Sequence, residues 1–264
     1  MGLSVFSFAS GSSGNCYLVR DSRSTILIDA GISCKKITDF LNEAGVSRKE
    51  VDGILVTHEH TDHTSGLRVL TRKNPDWKVY ASSGTVPYIL NLIHGEEQLI
   101  SFEADTVFRI GSMDIHSVPV SHDAADPVCY SVAAGSTRLT ILTDTGFVPR
   151  QAVEYLCQSD IIILEANHEV NMLRAGPYPY SLKRRILGEK GHLSNEDAGL
   201  ILAEIMRKDH RYRRIFLAHL SRKNNFPGLA LQTVKNILEE NGFYMNRDFH
   251  LEVMHREGIS GITV

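Results

Sequence analysis

Residue types that mark several classes of protein are scarce in this sequence. Only four of its 264 residues are cysteines, and no two form a Cys-x-x-Cys pair, so zinc ribbons and dithiol redox motifs are not indicated. No stretch approaches the roughly 18 apolar residues of a membrane span, and the N-terminus lacks the pattern of a secretory signal. We therefore expect a cytoplasmic protein without a membrane partner. Its cysteines should be reduced thiols in the core: Cys16, Cys34, Cys129 and Cys157.

An excess of charge of one sign is also absent. The 28 basic and 31 acidic residues give a formal net charge of -3, so any binding of nucleic acid would depend on local patches or metal ions. With 42% hydrophobic residues, the chain can bury a two-layer core, and no linker or low-complexity segment interrupts it. We predict one domain over residues 1–264, and the sequence leaves its oligomeric state open.

A dense group of metal-ligand types follows an apolar run. Residues 54–57 (Ile-Leu-Val-Thr) predict a buried strand, and residues 58–63 read His-Glu-His-Thr-Asp-His. In an extended backbone His58 and His60 point to the same side, whereas Asp62 and His63 follow a turn and can face a second point. Imidazole and carboxylate ligands suit Zn, Mn or Fe, and the lack of cysteine argues against a closed structural zinc site. An exposed loop with coincidental histidines is the less favoured interpretation.

Polar residues follow other predicted strands and turns in the same way. They are His122, Asp144, His168, His192 and His219. Asp144 could instead make only an Asx-turn. His192 lies in a Gly-His-Leu-Ser turn, directly before a helix for which Ser194 and Asp197 predict a capping box.

A loop of small residues at positions 10–15 reads Ser-Gly-Ser-Ser-Gly-Asn. Its glycines permit unusual dihedral angles, so the polar groups of Ser12, Ser13 and Asn15 could face an anion. A plain hairpin turn is the alternative.

The order His-x-His-x-Asp-His at 58–63 resembles the signature of the metallo-β-lactamase-fold hydrolases. Together, S-G-S-S-G-N, T-H-E-H-T-D-H, E-A-N-H and G-H-L-S-N resemble the YycJ/WalJ group of that family. Asp29-x-Gly31 resembles a further family element, whose aspartate is structural and lies near the metals. The resemblance covers essentially the whole chain and implies an α/β fold, a four-layer αββα sandwich of two packed sheets.

The resemblance also implies two divalent ions, Zn or Mn. Carried over residue by residue, it gives one ion His58, His60 and His122, the other Asp62, His63 and His219, and makes Asp144 the bridging ligand. Two ions about 3.5–4 Å apart would turn a shared water into hydroxide and offset the charge of the transition state. Asp62 could also orient that hydroxide.

Other features favour a phosphodiester substrate. His168 and His192 could bind a phosphate oxygen or protonate the leaving alkoxide, so we predict catalytic and substrate-binding roles for both. Asp62 is the third catalytic candidate, and Ser12, Ser13 and Asn15 are further substrate-binding candidates. Residues 178–191 are basic and aromatic, and basic pairs or triplets at 183–185, 213–214 and 222–223 suit phosphates, although a solvated face would look the same.

The resemblance implies a 5′-to-3′ exonuclease acting on DNA, with RNA as an alternative. The sequence also resembles ribonuclease J and the DNA-processing β-CASP enzymes. Those enzymes carry a large insertion between the motifs that correspond to Asp144 and His219, and the interval between these two residues leaves no room for it. Two rival functions remain open at this point. One is a small-molecule hydrolase, such as a thioesterase or cyclic-nucleotide phosphodiesterase; the other is binding of a regulatory partner.

Overall fold

The computed structural model describes residues 2–263. The strands among them are β1 (Ser4–Ala9), β2 (Cys16–Arg20), β3 (Thr25–Ile28), β4 (Gly53–Leu55), β5 (Lys78–Ser82), β6 (Leu99–Phe102), β7 (Val107–Ile110), β8 (Met113–Pro119), β9 (Val128–Ala134), β10 (Thr137–Leu142), β11 (Ile161–Glu165), β12 (Arg213–Ala218), β13 (Phe249–Val253) and β14 (Glu257–Thr263). The α-helices are α1 (Cys34–Glu43), α2 (Thr61–Thr64), α3 (Leu67–Lys73), α4 (Val86–Ile89), α5 (Arg150–Gln158), α6 (Val170–Ala175), α7 (Tyr180–Ile186), α8 (Asn195–Lys208) and α9 (Pro227–Glu240). Short 3-10 helices occur at Arg48–Glu50, Leu90–Leu92 and Glu96–Gln98.

The chain divides into two compact units. Unit 1 consists of the described residues up to Val118, of Ala124–Ser136 and of the residues from His255 onward. Unit 2 consists of Pro119–Asp123 and Thr137–Met254. The prediction of a single domain over residues 1–264 stays a prediction.

Unit 1 contains a mixed sheet with the strand order β14-β1-β2-β3-β4-β5-β6. Strands β14, β1, β2 and β3 pair antiparallel, whereas β3 to β6 are parallel. Leu27 and Val79 are in register with Ile54 on either side, and all three are fully buried. Parallel strands that are covered by helices carry such continuous apolar runs. Because β3 and β4 are parallel, the residues that follow each of them emerge at the same edge of this sheet.

A capped helix follows β3 in unit 1. The hydroxyl of Ser33 accepts a hydrogen bond from the backbone N–H of Lys36 and caps α1, and Gly45, beyond its end, has a φ of 68°. The apolar face of α1 joins the core through Ile37 and Leu41.

Unit 2 is built on four parallel strands in the order β13-β12-β11-β10. Ile163 is in register with Ile141 on β10 and with Phe216 on β12, so β11 is central among these four strands. Helices α8 and α9 pack against each other, and the predicted capping box of Ser194 and Asp197 is confirmed at the start of α8. The parallel arrangement brings the carboxyl ends of β10, β11 and β12 to one edge.

All four cysteines are free thiols. Cys16, Cys34 and Cys129 are buried and Cys157 is half-buried, and burial raises the pKa of Cys129 to about 12. The expectation of reduced core thiols is confirmed for the first three. Within residues 2–263, every helix is too short or too polar to cross a membrane.

Candidate metal centre

The histidines of the 58–63 motif lie together beyond the carboxyl end of β4. His58 and His63 are buried, and the distance between their ring centroids is 4.1 Å. Nε2 of His58 lies 3.1 Å from Nδ1 of His60, the residue before α2. Asp62 is partly exposed, and its Oδ2 lies 3.8 Å from Nε2 of His63. The structure therefore brings these four predicted ligands together within unit 1.

A buried carboxylate, that of Asp29, orients His63. Asp29 follows β3 with a φ of 63°, and its Oδ2 lies 2.7 Å from Nδ1 of His63. Thr57 donates its backbone N–H to the other oxygen of Asp29 at 2.9 Å, and its hydroxyl lies 3.1 Å from the same oxygen. A carboxylate at Nδ1 holds the ring proton there, which makes Nε2 an acceptor for a metal ion or for an N–H donor. Asp29 thus has the structural role that the family resemblance implies.

The polar residues of the loop at 10–15 differ in their exposure to solvent. Asn15 is fully buried: it accepts the N–H of Gly11 at 2.9 Å, and its amide nitrogen lies 3.0 Å from Nε2 of His63. Ser12 and Ser13 are exposed at the turn. The structure therefore brings Asn15 to the histidine cluster. Roles of Ser12, Ser13 and Asn15 in substrate binding stay predictions.

Gly31 has a steric role beside the same loop. The N–H of Asn15 donates to the carbonyl of Asp62 at 2.8 Å, and Gly31 packs against this contact. A Cβ atom on Gly31 would lie only 1.6 Å from the carbonyl oxygen of Asp62. Only glycine permits this close approach of three backbone segments.

Unit 2 gathers a second group of ligand types where its parallel strands end. The four residues each offer one ligand atom, and these atoms all lie within 4.8 Å of one another: Asp144, Glu165, His192 and His219. Asp144 and His219 follow their strands with positive φ angles of 57° and 55°. Residues other than glycine seldom adopt this conformation, and it occurs at functional sites where the surroundings hold it in place.

Glu165, the last residue of β11, is a site residue for which the sequence patterns predicted no role, although it begins the E-A-N-H motif. It is fully buried, and its Oε1 lies 2.8 Å from Nδ1 of both His192 and His219. Its Oε2 accepts the N–H groups of Thr145 and Leu193 at 3.2 Å. Burial alone would raise the pKa of Glu165, but the charge and hydrogen bond of His192 and the hydrogen bond of His219 lower it to about 2. The signal in the sequence that could have identified Glu165 is the position of its strand in the chain. That strand lies between two strands that are each followed by a predicted metal ligand.

His122 and His192 lie beside this carboxylate group. Burial alone would lower the pKa of His192, but the charge of Glu165, their hydrogen bond and the charge of Asp144 raise it. Nε2 of His122 lies 4.0 Å from Oδ1 of Asp144, and its ring centroid lies 5.3 Å from that of His192. Burial lowers the pKa of His122, against the opposing charge of Asp144. His192 and His122 thus both belong to the cluster in unit 2.

His168 is buried behind the end of β11. Neither of its ring nitrogens has a hydrogen-bond partner among the described residues. Burial lowers its pKa to about 4, despite the nearby charge of Glu165, which acts in the opposite direction. The ring is therefore neutral at pH 7. The predicted catalytic and substrate-binding roles of His168 stay predictions.

Arg213, which the sequence left open between a phosphate contact and a solvated surface residue, is neither in the structure. Arg213 is fully buried, and its guanidinium donates to the carbonyl groups of Asp209 and Cys157, both at 2.7 Å, and to that of Arg211 at 3.2 Å. All three are main-chain partners within unit 2. Because these bonds hold Nη1 and Nη2 inside the unit and the side chain is buried, Arg213 is structural and does not face a substrate.

The donor groups fit a divalent metal ion. Imidazole nitrogens and carboxylate oxygens are the ligands of Zn and Mn sites, and Asp144, Glu165, His192 and His219 bring two of each within 4.8 Å. Asp29 and Glu165 bind Nδ1 of His63 and His219, as carboxylates do behind metal-bound histidines. The residues present are thus suited to hold divalent metal ions.

Comparison with known proteins gives the same family over most of the chain. Residues 24–220 match the model of the beta-lactamase superfamily domain. The chain is 40% identical over 253 residues to Exodeoxyribonuclease YycJ of Bacillus anthracis, covering 95% of each. It is 38% identical over 245 residues to Exodeoxyribonuclease WalJ of Streptococcus pneumoniae, covering 91% of this chain and 90% of that protein.

A solved structure confirms the fold class. The metallo-β-lactamase fold protein YhfI from Bacillus subtilis aligns with a TM-score of 0.75 and 14% identity, covering 99% of this chain and 100% of that one. At this identity the likeness shows the fold alone. The family model and the two full-length relatives show that the chain belongs to the β-lactamase superfamily, as a YycJ-like protein with the metallo-β-lactamase fold.

Proposed function

We propose that the chain is a metal-dependent phosphodiesterase that removes nucleotides from DNA in the 5′-to-3′ direction. The observation that carries the proposal is the pairing of Glu165 with His192 next to Asp144 and His219 in unit 2. This arrangement places a carboxylate-supported imidazole beside a group of metal-ligand types, a combination suited to the hydrolysis of a phosphodiester. The relatives named exodeoxyribonucleases support DNA as the substrate.

The metals that we propose are two divalent ions, Zn or Mn, held by the ligand set of the family resemblance. That set is His58, His60, Asp62, His63, His122, Asp144 and His219. Such ions lower the pKa of a water toward neutrality and offset the charge on the phosphoryl oxygens. The chain's own contribution is to hold the ligand rings in one tautomer, which Asp29 does for His63 and Glu165 for His219.

His192 is the group that we assign to the leaving oxygen. Its Nδ1 is held by Glu165 at 2.8 Å, so the proton on this nitrogen stays inside the protein. Nε2, the other ring nitrogen, is then the atom that donates a proton to the departing alkoxide. A positioned general acid of this kind accelerates a reaction by about 10² to 10⁴-fold. Asp62, which is partly exposed, is proposed to orient the attacking water.

Substrate contacts complete the proposal. The exposed hydroxyls of Ser12 and Ser13 can donate to a phosphate oxygen, whereas buried Asn15 and His168 would contact substrate only where it reaches inside the site. The 5′-to-3′ direction is supported only by the family resemblance. Because the proposed substrate is DNA, we also propose a cytoplasmic location.

The experiment that tests this function compares linear and circular single-stranded DNA of the same sequence. Purified protein with Mn²⁺ or Zn²⁺ should release mononucleotides or short oligonucleotides from a linear strand labelled at its 5′ end and leave the circle intact. Equal cutting of both forms would contradict an exonuclease. Cleavage of an acyl thioester, with no cleavage of DNA or RNA under either metal, would replace the nuclease by a small-molecule hydrolase.

A further inference from the structure

A segment of unit 2 carries a charge opposite to that of the whole chain. Residues 170–191 contain five basic residues and a single acidic one, Glu189, although the net charge of the protein is -3. The segment comprises α6, α7 and the turns that follow each helix. A local excess of positive charge of this size attracts anions even where the whole protein does not.

The two helices of this segment line a surface groove of about 450 Å³, which we call the α6–α7 groove. Its lining residues are Arg174, Tyr180, Lys183, Arg184, Leu187 and Gly188. The ammonium group of Lys183 donates to the carbonyl of Arg174 at 2.6 Å, so it ties α7 to the end of α6. Two of its three N–H groups remain available to an anion.

The side chains of the groove are accessible and their charges are not neutralised. Tyr180 is 78% exposed, which is the largest exposure among the large hydrophobic side chains of the described residues. Arg174, Lys183 and Arg184 take part in none of the ion pairs of the described residues. Arg185, next along the chain, differs because it is paired with Asp123. The cations of the groove are thus available to a ligand.

The segment that lines the groove is hydrogen-bonded to the candidate site of the same unit. The carbonyl of Ile186, the last residue of α7, accepts the N–H of His192 at 3.0 Å. The carbonyl of Gly191 lies 3.3 Å from Nδ1 of His122. The turn after α7 therefore connects the helix that lines the groove to His192, the residue to which we assign the leaving oxygen.

We infer that the α6–α7 groove binds the single-stranded substrate beyond the nucleotide that is cleaved. Tyr180 stacks on a base, and Arg174, Lys183 and Arg184 bind successive phosphates. Exposed aromatic rings beside basic side chains bind single strands in this way, because every unpaired base offers a face for stacking. The bases of a duplex are already stacked on one another, so the ring favours a single strand. The inference rests on the proposed nuclease function and names the surface that holds its substrate.

The test measures affinity with a fluorescent oligothymidine of about 16 nucleotides whose phosphorothioate linkages resist cleavage. Fluorescence anisotropy at several salt concentrations compares the wild type with Tyr180→Ala, Tyr180→Phe and the double variant Lys183→Gln/Arg184→Gln. Arg150→Gln is the matched control, because Arg150 is a basic residue of the same unit with a side chain that is 96% exposed. Thermal unfolding of each variant checks that the fold is intact.

We expect Tyr180→Ala to weaken binding about tenfold, the effect of losing one stacked base, and Tyr180→Phe to retain most of the affinity. The double variant should reduce the slope of log K against log salt by about 0.7 for each lost phosphate contact. Arg150→Gln should bind as the wild type does.

Two results would contradict substrate binding in the α6–α7 groove without contradicting the nuclease function. In the first, the wild type cleaves DNA but the variants bind the oligothymidine with the affinity and salt slope of the wild type. In the second, the wild type binds a blunt duplex as tightly as the single strand. Tighter binding of single-stranded RNA than of DNA would overturn the assignment to DNA. A wild-type protein that neither binds nor cleaves any strand would overturn the nuclease function itself, and the groove with it.

Discussion

The carboxylate of Asp29 lies 2.7 Å from Nδ1 of His63, and both side chains are almost completely inaccessible to solvent. Unit 2 repeats the arrangement with Glu165 and His219, at 2.8 Å. In each pair the carboxylate fixes which ring nitrogen carries the proton, and it leaves Nε2 for a metal ion. Each of these two buried acids can be tested apart from catalysis.

We predict that Asp29→Asn weakens metal binding by about 10- to 100-fold. The asparagine keeps the shape but has no charge, and its amide can turn a donor toward Nδ1 of His63. Competition with a chromophoric chelator measures the affinity. Asp39→Asn is the control, because Asp39 lies exposed on α1 in a surface pair with Lys35 and should bind metal normally. Equal affinities for the two variants would show that Asp29 does not position a ligand.

Gly31 permits a steric prediction. In Gly31→Ala the new methyl group would lie 1.6 Å from the carbonyl oxygen of Asp62, which is backbone and cannot swing away. We expect a loss of at least about 3 kcal/mol in the free energy of unfolding, the upper range for overpacking. Gly228→Ala is the control, since its Cβ would meet nothing closer than 3.7 Å. Chemical denaturation of both variants measures the difference, and similar midpoints would contradict the close approach.

Asp144→Ala tests the number of ions. The bridging role that the resemblance gives Asp144 predicts that its removal costs at least one of two bound ions. Elemental analysis after dialysis should give about two ions per wild-type chain and one or none in the variant. Asp39→Ala should keep both. A wild-type protein saturated by one ion would contradict the dinuclear site, and a variant that retains two would contradict the bridge.

The sequence was sufficient to predict that several polar clusters lie at strand ends, because buried apolar runs precede them. It was less informative on how far a strand extends. The predicted strand continued through Thr57, but β4 ends at Leu55, because the N–H of Thr57 donates to Asp29 instead of to a neighbouring strand. That competition involves a residue far away in the chain, and no local pattern reveals it.

Glu165 and Arg213 show the same limit. An acid at the end of a strand is usually a turn or cap residue, and Glu165 becomes part of the site only because β11 pairs with both β10 and β12. The sequence left Arg213 open between a phosphate contact and a solvated surface residue, yet the side chain is buried and one of its carbonyl partners belongs to Cys157. In both cases the role depends on the order of the strands or on helix packing, which composition and periodicity do not encode.

The last prediction separates the chemistry at His192 from the binding of metal. His192→Ala should lower kcat on linear single-stranded DNA by about 10² to 10⁴-fold, the contribution of a general acid, while its affinity for metal changes by less than about tenfold. His250→Ala is the matched control, since His250 is a partly exposed histidine of the same unit that is paired with Glu252. Metal affinity by chelator competition and single-turnover cleavage at saturating metal give the two numbers.

A substrate with a better leaving group adds a second readout for the same variant. A 4-nitrophenolate leaving group needs no protonation, so His192→Ala should cleave a 4-nitrophenyl ester of thymidine phosphate at a rate much closer to that of the wild type. A loss as large as the loss on DNA would show that His192 does not protonate the leaving oxygen. A fall in metal affinity that matches the fall in kcat would instead make His192 a metal ligand, a role that its nitrogen, within 4.8 Å of the ligand atoms of Asp144 and His219, could fill.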